Sequence, residues 1–246
     1  MTWTLEQTDV HFVGASTGCL WRDLDPADLA RRLACSHPYN IRPARVGDEL
    51  VILGSLAVLG EDPARRRAWL VEQVECVARR MEPRASAATR SARAVSSSPG
   101  ALAALRNVAA ARAWSVRGEA ALEIDPGDDA GVVLRASPAD DGIAIRADAT
   151  PPLQLAPAPH DAAVLAIAAL GLNARFGAAR LRLVDAERSH FVAELLLPDA
   201  DPSEDELEFA LEGVRHAADE ARRTLGCLVH PAVAHAYAAA LELSLG

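Results

Sequence analysis

The sequence predicts an α+β protein with antiparallel sheets flanked by helices, and three stretches carry that reading. Residues 203–225 read as a long, fully signalled helix. Ala179–Val184 and Phe191–Leu197 read as two strands joined by the polar turn Asp185-Ala186-Glu187-Arg188-Ser189. Ahead of them, His160–Asn173 carries Ala163, Leu165, Ala168 and Leu172 at helical spacing.

The long helix begins at Ser203, an N-cap residue followed three positions later by Glu206, the pattern of a capping box. Glu204, Asp205, Glu206 and Glu208 crowd its positive end, and Arg222 and Arg223 its negative end. Leu207, Leu211, Val214, Ala218, Ala221 and Leu225 form one apolar stripe. Gly226 is expected just past the end. Gly213 in the interior opposes the pattern without defeating it.

From the start of the chain, residues 2–22 alternate weakly and predict one or two short strands. Asp25-Pro26 opens a short helix to about Leu33, with aspartate as N-cap and proline at the first helical position. Tyr39–Ala44 and Glu49–Leu59 are strands joined across Gly47-Asp48, and Pro43 places the first of them at a sheet edge. Asp62-Pro63 starts a second helix, whose face holds Trp69, Leu70, Val74, Val77 and Met81.

Residues 84–99 are small, polar and basic with no apolar period, so they read as a connector. Arg84, Arg90 and Arg93 also make it a candidate partner-binding arm. The resulting division is an N-terminal α+β unit at 1–82, a linker at 83–99 and a second α+β domain at 100–246. That domain opens with a helix to about Arg112. Strands follow at 114–124, 131–136 and 142–148, and a proline-rich crossing at 150–159 leads into the helix at 160. A last helix covers about Pro231–Leu243.

The two halves echo each other. Asp25-Pro26-Ala27-Asp28-Leu29-Ala30, a hairpin, Glu61-Asp62-Pro63 and a long helix return as His160-Asp161-Ala162-Ala163-Val164-Leu165-Ala166, a hairpin, Asp201-Pro202-Ser203 and a long helix. The order helix, three strands, helix, two strands, long helix over residues 100–226 resembles the type III secretion chaperone-like fold, shared by secretion chaperones and YbjN-like bacterial proteins. In sequence the resemblance rests on Leu170-Gly171-Leu172-Asn173-Ala174, Arg180-Leu181-Arg182-Leu183-Val184 and Phe191–Pro198 followed by the acidic helix start. It implies an acidic, cytosolic, often dimeric protein that binds another protein and has no active site. Two related units of this kind are the architecture expected.

Composition narrows the function classes. The net charge is −9, and all 25 basic residues are arginine, a bias expected of a GC-rich bacterial genome. An acidic chain disfavours a nucleic-acid partner, because binding phosphates is driven by positive charge. The sequence predicts no signal peptide and no membrane span. Cys19, Cys35, Cys76 and Cys227 are scattered without a CxxC pair, as expected of reduced thiols in a cytoplasmic protein.

Reactive motifs are weak. Cys227, His230 and His235 are the tightest metal-like group, but His230 and His235 would lie about 140° apart on a helix. Gly14-Ala15-Ser16-Thr17-Gly18 matches G-x-S-x-G, yet little chain is left for a helix before Pro26, and a glycine-serine turn is the simpler reading. A P-loop fails because the chain has no lysine. Asp128-Asp129, Asp140-Asp141 and Glu204-Asp205-Glu206 fall in turns or at a helix start, where they cap and solvate. No catalytic residue, metal or cofactor is expected.

Binding has one signal. Leu50-Val51-Ile52-Leu53 is apolar on both strand faces, and Val192 and Leu196 flank Glu194 on the face opposite Phe191, Ala193, Leu195 and Leu197. Both faces therefore need cover, from the chain's other half, a second copy or a client protein. Val51, Leu53, Val192 and Leu196 are the candidate binding residues of a non-enzymatic, chaperone-like or adaptor module. The competing expectation is an enzyme or small-molecule sensor with a pocket between the halves, for which Arg175, Arg180 or Arg182 facing carboxylates would be the mark. Arg180 and Arg182 read more simply as the solvent side of the hairpin.

Overall fold

The computed structural model describes residues 2–7, 10–35, 40–57, 63–81, 99–139, 142–150, 158–197 and 202–241. Apart from Pro99, the expected connector lies outside them, as do most of the proline-rich crossing and the end of the last expected helix.

The first half builds β1 (Thr2–Gln7), β2 (Val10–Leu20), α1 (Pro26–Ala34), β3 (Arg42–Val46), β4 (Glu49–Ala57) and α2 (Pro63–Met81). Asp25 caps α1 by accepting from the Ala27 N–H at 2.7 Å. The strands pair antiparallel in the order β1-β2-β4-β3, so β3, which carries Pro43, lies at an edge. β2 is longer than the short strands expected. It runs through Gly14 and absorbs a register shift between Ser16 and Cys19, where Gly18 adopts φ +68°.

The second half builds α3 (Pro99–Ala111), β5 (Ser115–Arg117), β6 (Leu122–Asp125), β7 (Leu134–Ala139), β8 (Gly142–Asp148), α4 (Pro159–Asn173), β9 (Arg180–Asp185), β10 (His190–Leu197), α5 (Glu204–Leu228) and α6 (Pro231–Ala240). Its strands pair antiparallel as β5-β6-β7-β8-β10-β9. The single strand expected at 114–124 is two. Gly118, at φ +89°, reverses the chain between them, and a Cβ there would run into the Ala121 carbonyl. The succession strand, strand, helix, strand, strand, helix occurs twice, as β1-β2-α1-β3-β4-α2 and β7-β8-α4-β9-β10-α5. Both times the four strands lie in the order first, second, fourth, third.

α5 starts as its sequence requires. Ser203 Oγ accepts from the Glu206 N–H at 3.3 Å, and Glu206 accepts from the Ser203 N–H at 3.0 Å. It does not stop at Gly226 but continues to Leu228. The stop comes from Pro231, which holds His230 in an extended conformation (φ −80°, ψ 118°) and then opens α6.

Gly213 has a reason the sequence does not disclose: a Cβ there would collide with the Ala178 Cβ. Exchanging an exposed helical glycine for alanine ordinarily stabilises by about 1 kcal/mol. Gly213→Ala is instead expected to destabilise by about 1–2 kcal/mol through overpacking. Gly226→Ala, with open space around the added methyl, should show the ordinary gain. Denaturant titrations of the two variants check the contrast.

The core lies between the helices and the sheet faces they cover. α2 covers one face of the first sheet, packing Leu70, Val74, Val77 and Ala78 on Val13, Ala15, Ile41 and Ile52. Gly54 belongs to this contact, since a Cβ on it would lie 2.6 Å from Val74 and 2.8 Å from Leu70. α4 and α5 cover one face of the second sheet, over Leu134, Ile145, Phe191, Ala193 and Leu195. α4 is more than the one-faced helix its spacing predicts. Residues 163–170 are all buried, because α1, α5, α6, β3 and β9 surround it. Among the described residues no helix is long and apolar enough to cross a membrane.

The halves meet through matching parts. α1 packs on α4 and against β9, while α4 packs against β3. Trp21, Leu29, Leu33 and Leu50 of the first half enter the same core as the second half's helices.

Candidate functional site

Strand alternation decides which side chains form the site. On β10, Phe191, Ala193 and Leu195 enter the core, so Val192, Glu194 and Leu196 turn to the opposite, outer face of the sheet. Register then lines up a charged row across all six strands: Arg117, Glu123, Arg135, Arg146, Glu194 and Arg180 are successive cross-strand partners. The signs alternate except between Arg135 and Arg146.

Glu194 is the centre of this row and only 1% exposed. Arg146 Nε reaches it at 2.6 Å, Arg182 Nη2 at 3.2 Å, and Arg180 Nη2 donates to its other oxygen. Burial alone would raise the Glu194 carboxyl. Arg180, by charge and hydrogen bond, with Arg182 and Arg146 behind it, outweighs burial and holds Glu194 below the usual carboxylate range. A second cluster adjoins it: Asp148 accepts from Arg135 at 3.1 Å and lies 3.1 Å from His190 Nε2.

Arg180 also links the halves. It is 2% exposed and donates from Nη1 to the Ile41 carbonyl at 3.2 Å. Arg42, the first residue of β3 as Arg180 is of β9, does the reverse. Its Nε donates to the Asn173 carbonyl at 2.7 Å and its Nη2 to the Phe176 carbonyl, while Nη1 serves Asn40 O (2.8 Å) and Ser55 Oγ (2.9 Å). Asn173 closes the seam, donating to Pro43 O at 3.1 Å and Leu181 O at 3.2 Å and accepting from Leu181 N at 2.7 Å. Burial, then the charge of Arg180, push Arg42 down to about 9, which leaves it cationic at neutral pH. Arg180 is lowered chiefly by burial, which Glu194 partly offsets.

The four expected binding residues divide. Val51 and Leu53 are buried, packed with Ala44 against Ala174 of the second half, so their cover comes from within the chain. Val192 and Leu196 share the outer face of the other sheet, Val192 buried and Leu196 half-buried. Arg180 and Arg182 do not form the solvent side of a hairpin: the first is buried, the second mostly so, and both converge on Glu194. One sequence signal pointed there. Glu194 is the only charge inside the apolar run Phe191–Leu197, and a carboxylate in such a run needs a cationic partner. Nothing in the sequence marks Arg42, and Asn173 figures only within the expected helix and the Leu170–Ala174 stretch, with no role attached.

Other features take ordinary roles. Ser16 lies within β2 and donates to the Glu49 carboxylate, and a short 3-10 turn at Trp21–Asp23 follows the strand, not the helix a nucleophile elbow requires. Among the described residues no group of three His, Cys, Asp or Glu is placed to hold a metal ion. A cleft of about 330 Å³ is lined by Arg112, Trp114, Pro126, Asp128, Glu212 and Arg215. Its charges pair with one another, Arg215 with Asp128 at 2.6 Å and Glu212 at 2.8 Å, and Arg112 with Glu208 and Glu212. All these residues belong to the second half. No family model matches the chain, and neither curated proteins nor solved structures give a match.

Proposed function

We propose that the chain is a non-enzymatic protein-binding module of the type III secretion chaperone-like, YbjN-like kind, with the outer face of the six-stranded sheet as its docking surface. The observation that carries this reading is the make-up of that face. Leu196 is half-buried, Val184 is 41% exposed, and both lie among arginines anchored on a fixed carboxylate, while α4 and α5 occupy the opposite face. Apolar contact with charged surroundings is the composition of a protein-binding patch.

The charged centre is poorly suited to acid–base work. Glu194 is held ionised by three guanidiniums and cannot cycle a proton near neutral pH, where a general base must be poised. The repeated strand order and the reciprocal Arg42 and Arg180 contacts favour two related units joined in one chain. Their seam then has the self-complementary form of a two-fold dimer. Four cysteines without disulfides suit a reducing, cytosolic compartment.

Leu196→Asp is the cleaner test, because Val192 is buried and Val192→Asp also threatens folding. In a pull-down from the native host, the Leu196→Asp protein, folded by circular dichroism, should lose partners that the native chain captures. Undiminished capture would remove this face from the reading.

A further inference from the structure

The charged row has one defect. Arg135 and Arg146 stand directly opposite on β7 and β8, an arrangement that is destabilising for like charges. Arg135 is partly relieved by Asp148 and by its other cross-strand partner Glu123, and Arg146 by Glu194. Over all six strands this face carries Arg117, Arg135, Arg146, Arg180 and Arg182 against Glu123, Asp125, Asp148 and Glu194. That leaves one positive charge in excess, with His190 beside it, in a chain whose net charge is −9. The side chains of Arg135 and Arg146 are 61% and 44% exposed, so the excess faces outward.

Resting on the docking surface proposed above, we infer that its partner is an acidic protein segment in extended conformation, which sets a carboxylate on the Arg135–Arg146 pair and an apolar side chain on Leu196. Register supplies the spacing. Leu196 pairs with Ala144, two residues along β8 from Arg146, a rise of about 6.6 Å. Leu196 itself stands one strand over, on β10, and so lies diagonally about 7–8 Å from Arg146. Residues i and i+2 of an extended segment point the same way about 6.6 Å apart, and the length of the acid's side chain covers the rest. A carboxylate between two guanidiniums accepts charge-assisted hydrogen bonds from both. A lone inorganic anion fills only half of this surface.

The test uses the full chain and a fluorescein-labelled peptide that alternates serine with glutamate and leucine in turn, titrated by fluorescence anisotropy. A lysine-for-glutamate peptide and inorganic phosphate are the comparison ligands. The glutamate peptide should bind, more tightly at low salt. Arg146→Gln and Arg135→Gln should each weaken it by about tenfold, and the lysine peptide should not bind. Arg135 has no contact with Glu194 among those given above, so its variant keeps the test valid if Arg146→Gln loosens the cluster. Absence of binding to the native chain, unchanged affinity in both variants, or complete displacement by phosphate at the peptide's own concentration would each overturn the inference. Host-protein capture that needs Leu196 yet ignores Arg135 and Arg146 would also overturn it, while leaving the docking surface in place.

Discussion

Glu194→Gln is expected to lower the stability of the chain by about 3–5 kcal/mol, the usual cost of breaking a buried ion pair from one side. The change keeps the shape of the side chain and removes the carboxylate that Arg180, Arg182 and Arg146 share. Arg180 cannot move into water without giving up its bond to Ile41, so its charge stays buried and loses the Glu194 carboxylate. Chemical denaturation at neutral pH measures the loss. The pH dependence supplies an independent signature. Glu194 is held below the usual carboxylate range in the folded chain, so its contribution is complete above the unfolded carboxyl value. As pH falls below that value, the unfolded chain takes up the proton first and stability declines until the folded carboxyl titrates. Glu194→Gln should flatten this part of the acid limb, and a native-like slope in the variant would show that the group contributes little.

Arg42→Met is the second large effect, with an expected loss of about 3 kcal/mol or more. Methionine fills much of the volume but leaves the carbonyls of Asn173, Asn40 and Phe176 and the hydroxyl of Ser55 without their donor in a buried seam. Lysine should not rescue it, because a single ammonium cannot reproduce a planar fork that serves four acceptors. Thermal unfolding of Arg42→Met and Arg42→Lys checks this: both should melt well below the native chain.

Much of the fold was legible because local chemistry marks the ends of elements. Asp25-Pro26 and the Ser203–Glu206 box fix helix starts, and Pro43 assigns an edge, from backbone requirements that hold whatever the tertiary structure. Legibility fails where the deciding neighbour is distant in sequence. Gly213 is explained by Ala178 across a packing contact, and the second-half strands at 115–125 are divided by a glycine whose φ no periodicity shows. The apolar strand 50–53 correctly announces a need for cover on both faces, but only the fold identifies Ala174 as part of that cover. The charged site was half legible. Val192 and Leu196 lie on the candidate face, whereas Arg180 resembles any surface arginine until the Ile41 carbonyl is brought beside it.

The reciprocal grip of Arg42 and Arg180 also bears on how the molecule opens. Each guanidinium rises from one half and donates to main-chain oxygen of the other, so neither half can loosen without stranding polar groups in both. The two sheets are thereby bound to a common fate, losing structure together and not in turn.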